Sequence, residues 1–215
     1  MDWVKLDLLF YFNNNRDAPP HYLDYSSVEP YTPEMVLAGV QKMTDMITLY
    51  FPDIRVFPTL GNHDNYLADQ LAPPPKGSDW LNKIASIWSH WLPQETLETF
   101  TYGGYYTLLI EDGLRLISLN TIYCDILNTW ALLDSSYDIA NQMKWLNLTL
   151  ENARQNNEKV YLIGHIPPGF TEGGNPQMFK WCNTQYYQVY SEFSDIIINR
   201  YNNNLILFYK NNINV

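Results

Sequence analysis

An α/β fold is predicted by three observations: short apolar runs alternating with helix-period segments, polar or glycine-bearing loops where those runs end, and a large apolar share. Strands and helices in alternation build a layered domain around one core. With 46% hydrophobic and 15% aromatic residues in 215, the chain has enough apolar surface to bury such a core. Disorder is set aside on the same ground, and a single domain over residues 1–215 is expected.

Each element has its own local reason. Residues 6–12 are dense in Leu, Phe and Tyr, as a strand buried on both faces would be. A polar loop over 13–33 follows. Thr32-Pro33-Glu34 marks a helix start, with Thr32 as cap and Pro33 at the first helical position. Met35, Val36, Val40, Met43, Met46, Ile47 and Tyr50 continue it at helical spacing toward Pro52. Residues 55–60 read as a short strand stopping at Gly61. The segment 79–91 carries Trp80, Ile84, Ile87, Trp88 and Trp91 at helical intervals. A core helix is one reading of it; a lid or a peripheral membrane contact is the other. Strands at 103–111 and 114–120 flank Asp112-Gly113, a hairpin signal. A helix over 140–154, a strand over 159–163, a helix over 184–200 and a strand over 205–209 complete the pattern.

Charge narrows the function classes. A net charge of −10 and a pI near 4.7 oppose binding to a phosphate backbone, so no nucleic acid partner is expected. No run reaches the roughly 20 apolar residues of a bilayer span, which excludes a transmembrane segment. An acidic compartment suits so many carboxylates. Cys124 and Cys182 permit one disulfide or two buried thiols, and Asn147-Leu148-Thr149 is a glycosylation sequon. The N-terminal stretch is broken by Asp2 and Asp7 and has no cleavage site, so a signal peptide, on a secretory reading, would precede Met1.

Three loops carry the chemistry. Gly61-Asn62-His63-Asp64 follows the 55–60 run and offers an amide oxygen beside an imidazole, where glycine would allow a sharp turn. Gly164-His165-Ile166-Pro167-Pro168-Gly169 follows the 159–163 run, its prolines stiffening the loop around a histidine. Arg16-Asp17-Ala18-Pro19-Pro20-His21 places a carboxylate and an imidazole after the first run. Singly, each is an ordinary polar loop. Together, ligand-bearing loops at several strand ends describe one site at the carboxyl edge of a sheet.

These segments, with Leu114-Arg-Leu-Ile-Ser-Leu-Asn-Thr121, resemble the calcineurin-like metallophosphoesterases, and within them the acid sphingomyelinases and acid sphingomyelinase-like phosphodiesterases. The resemblance runs from about Asp7 to about Tyr209. It implies a four-layer β-sandwich flanked by helices, here incomplete, and hydrolysis of a phospholipid headgroup or a nucleotide phosphoester by a metal-activated water. Two zinc ions are implied, with Asp17 matching the bridging ligand and Asn62 and His165 matching ligands of the second metal. His63 matches the histidine thought to protonate the leaving oxygen or steady the transition state, and His21 a further active-site histidine. A secreted or lysosomal glycoprotein with a Cys124–Cys182 disulfide and glycan at Asn147 is expected on this route.

The sequence also departs from the family pattern. Arg16 stands where the family has glycine, and the Asp-x-His and Gly-His-x-His motifs are not in the chain. The expectation is therefore a domain incomplete at both ends, binding metal poorly and turning over little by itself, or a catalytically dead relative that keeps a binding shell.

Overall fold

The computed structural model describes residues 32–170 and 174–198. The strands expected at 6–12 and 205–209, and the residues Asp17 and His21, lie outside that range.

Helix α1, Pro33–Tyr50, begins where the cap signals place it: the Thr32 hydroxyl accepts from Met35 N–H at 3.3 Å and Pro33 needs no amide partner. Val36 and Val40 point into the core, and the helix packs against α2 (Ser78–Ile87) and the 62–64 turn. Leu81, Ile84 and Ala85 of α2, and Trp88 just after it, are buried in the core, while Trp80, Ile87 and Trp91 pack against it half-buried. The helix stops four residues before Trp91, which caps the following turn by donating to the Trp88 carbonyl at 2.8 Å.

The 103–111 run divides differently from the pattern. Its first residue ends a helix, α3 (Leu97–Gly103), and β1 occupies only Tyr106–Glu111. Gly104 is the reason: at φ +76 it forms a left-handed cap whose N–H donates to Phe100 C=O at 2.7 Å. A side chain there would also collide, since a Cβ would lie 2.6 Å from Leu60 Cδ1 and 2.8 Å from Asn120 Nδ2. The Asp112-Gly113 turn then leads into β2, Leu114–Ser118, antiparallel to β1 with an irregularity between Leu109 and Glu111.

After β2 come a short helix, α4 (Thr129–Leu133), and then α5, Gln142–Gln155. Ala140 and Asn141, expected inside α5, instead sit at φ +56 and +53. The Asp138 carboxylate ends that kink by accepting from Met143 N–H (2.7 Å) and Lys144 N–H (3.1 Å), where its charge meets the helix dipole. Strand β3, Lys159–Ile163, runs parallel to β2, giving sheet order β1-β2-β3. Val160 to Ile163 are all buried, as expected for a strand covered on both faces.

The last helix, α6, spans Lys180–Glu192 rather than 184–200. Its end is forced by the sheet: Val160 N–H donates to Ile196 C=O and Ile198 N–H to Val160 C=O, so Ile197 bridges β3. Phe193, Ile196 and Ile197 are buried there. Residues 55–60 form no ladder among the described residues. Pro58 has no N–H to give, and the segment is held by its carbonyls and side chains: Tyr106 Oη donates to Pro58 C=O (2.7 Å) and Arg55 to Ile110 C=O (2.7 Å). No described helix is long and apolar enough to cross a membrane.

Candidate metal centre

Because β2 and β3 are parallel, Ser118 and Ile163 end at the same edge. The chain beyond each strand therefore enters one region. Leu119 N–H extends the ladder by donating to Ile163 C=O at 2.9 Å. Thr121 Oγ1 then accepts from both His165 N–H (3.2 Å) and Ile166 N–H (2.7 Å), so one hydroxyl fixes the backbone that carries His165. Asn120 locks the neighbouring loop: its Nδ2 donates to Gly103 C=O (2.9 Å), and its backbone pairs with the Gln142 amide (2.8 and 3.1 Å).

Residues 62–64 form a single 3₁₀ turn. The Asp64 carboxylate accepts from Gly61 N–H at 2.8 Å, and Trp80 Nε1 donates to the Asp64 carbonyl at 2.9 Å. Gly61 lies at φ −94, ψ 162, so its expected freedom to turn sharply is unused; the 3₁₀ turn bends the chain instead. His63 and Asp64 are buried.

The two motifs meet. Asn62 Oδ1 lies 2.7 Å from His165 Nε2 across 103 residues of sequence. The other end of the amide is engaged too: Asn62 Nδ2 donates to Asp69 Oδ1 at 2.6 Å, while Asp69 N–H donates to the Asn62 carbonyl at 2.9 Å. Asp69 leads on to Asp125. Burial, more than the facing Asp69 carboxylate, pushes the Asp125 carboxyl up to about 7, against the pull of the Leu127 N–H that it accepts at 2.9 Å.

Residues 17–208 match the family model described as calcineurin-like phosphoesterase. The chain belongs to that family. Among curated proteins, this calcineurin-like phosphoesterase is 42% identical over 183 residues to sphingomyelinase phosphodiesterase C of Dictyostelium discoideum, covering 84% of this chain and 39% of that one. It is 35% identical over 189 residues to a cyclic GMP-AMP phosphodiesterase of Homo sapiens (86% and 40%). With sphingomyelin phosphodiesterase A of Dictyostelium discoideum it shares 39% over 201 residues (90% and 31%). The chain thus spans two fifths or less of the length of these relatives.

Membership implies divalent metal ions, and the described residues can be tested for fit. An amide oxygen and an imidazole nitrogen lie side by side at 2.7 Å, two donor types that one cation could take in place of their mutual contact. The pair fits. No cluster of three or more His, Cys, Asp or Glu side chains among the described residues could hold an ion, and Asp17 is not among them.

The other expected residues are placed as follows. Cys124 and Cys182 are disulfide bonded with Cα atoms 5.8 Å apart. Cys182 sits in α6, so the bridge ties the turn after β2 to a helix. Asn147 is in mid-α5, half-buried, its Nδ2 donating to Met143 C=O at 2.8 Å. Asn120 and Thr121 stand in the 114–121 string that carries the resemblance but received no role from it, and Gln142 and Asp69 drew no notice in the sequence.

Proposed function

We propose that this chain carries part of a metal-dependent phosphodiester hydrolase acting on a phospholipid headgroup of the sphingomyelin type. The observation that carries it is the 2.7 Å contact between Asn62 Oδ1 and His165 Nε2, which makes two distant motifs into one polar centre. Asn62 and His165 would hold one ion, zinc as the family resemblance implies, with Asp17 as the shared carboxylate. Zinc, when bound, supplies Lewis acidity that draws charge from the phosphoryl group and acidifies a water.

The protein's own residues do the rest. His63, on the same turn as Asn62, would give a proton to the leaving oxygen or steady the transition state, and His21 would be a further active-site histidine. The turn is pinned by Asp64 and Trp80, so its two side chains keep a fixed relation. Thr121 does the same for His165. The disulfide supports a secretory route ending in the lysosome or outside the cell. Glycosylation at Asn147 belongs to the same proposal.

The test is hydrolysis of a chromogenic phosphodiester and of sphingomyelin vesicles with zinc. His165→Ala and Asn62→Ala should each lower turnover by about 100-fold or more, at or beyond the upper end of what losing an outer-shell partner costs. Full activity in either variant would remove this reading.

A further inference from the structure

We infer that Asp69 is a positioning residue that fixes which end of the Asn62 amide faces His165. The inference rests on the metal-binding reading of Asn62 and His165 and adds a component to it. An asparagine amide is nearly symmetric in shape, with an acceptor at one end and a donor at the other, so its orientation is decided by its partners. A carboxylate only accepts. Asp69 Oδ1 at 2.6 Å therefore takes the NH₂ end and leaves Oδ1 directed at His165 Nε2. An amide oxygen cannot donate, so His165 Nε2 carries the proton in that contact. The same two atoms would face a cation, which competes with that proton.

The backbone is built to bring Asp69 there. Asp69 stands at φ +63, in the left-handed region that Asp and Asn tolerate better than other side chains. Its N–H returns to the Asn62 carbonyl at 2.9 Å, so the two residues are clasped through main chain and side chain together. The loop beyond is strapped in turn: Gln70 Nε2 donates to Leu127 C=O (2.6 Å) and Asn128 Nδ2 to Leu71 C=O (3.1 Å). A charged acceptor on the NH₂ end also polarises the amide and makes Oδ1 a stronger donor toward a cation.

Asp69→Asn and Asp69→Gly both keep the left-handed backbone accessible. Asparagine offers either end of its own amide, and glycine offers nothing. In the metal-free protein, nitrogen-15 correlation spectra of the His165 ring should show the single Nε2–H tautomer in wild type and a mixture of tautomers in both variants. Zinc affinity by calorimetry should fall about 10-fold in Asp69→Asn and up to about 100-fold in Asp69→Gly. A merely structural Asp69 would lower the melting midpoint and leave both the ring tautomer and the zinc affinity of the folded protein unchanged. That result, or a wild-type ring without the Nε2–H tautomer, overturns the inference. Changed tautomers in the variants with no zinc bound by wild type uphold the positioning role and sink the metal reading instead. Should Asp69→Gly not fold, Asp69→Asn alone decides between these outcomes.

Discussion

Asp125 keeps its proton to about pH 7, where an unfolded aspartate has lost its own near 3.8. Burial penalises the ionised form, and the facing Asp69 carboxylate adds repulsion. Between those two pH values the folded protein binds more protons at this position than the unfolded chain. The linked stability is therefore fully present below about 3.8 and is lost as pH rises through about 7. Asp125→Asn keeps the shape and removes the titration. Its urea midpoint relative to wild type should rise between pH 5 and pH 8; a constant difference would show that Asp125 carries no pH dependence. At this scale the site is little visible in sequence. Asn62, His63, His165 and Thr121 stand in recognisable strings, whereas Asp69 matters only because folding brings an acceptor within reach.

At the scale of elements, Gly104 links three of them, since a Cβ at that position would strike both Leu60 and Asn120. Gly104→Ala also forces a side chain into a left-handed cap. The expected loss is roughly 1–3 kcal/mol from strain and overpacking, read from a denaturant midpoint. A loss under about 0.5 kcal/mol would mean that the neighbours yield easily. The α1 start was legible because Thr32, Pro33 and Glu34 act through bonds within one turn. The 159–163 strand was legible because β3 is buried on both faces and so reads as an uninterrupted apolar run. The α3–β1 boundary was not, because two adjacent glycines suit a helix end as well as a strand start. Helix periodicity missed the end of α6 for a different reason: it is set by the bridge from Ile197 to Val160.

Over the whole molecule, the Cys124–Cys182 bond closes a loop with a sequence separation of 58 and couples the site's edge to α6. In the chain-entropy model a loop of that length contributes about 4 kcal/mol. Replacing both cysteines with alanine should lower unfolding free energy by a comparable amount, and an unchanged denaturation curve would show that the bond is dispensable. The span of the Asn62–His165 contact has a further consequence, in time. The 103 residues added after Asn62, up to and including His165, take roughly 5–20 s to synthesise. Throughout that interval the amide has left the ribosome without its imidazole, and β3, which delivers the imidazole, cannot yet pair with β2. The nascent chain can therefore present only half of this donor pair, so an ion held by both donors would enter late, after β3 has closed against β2.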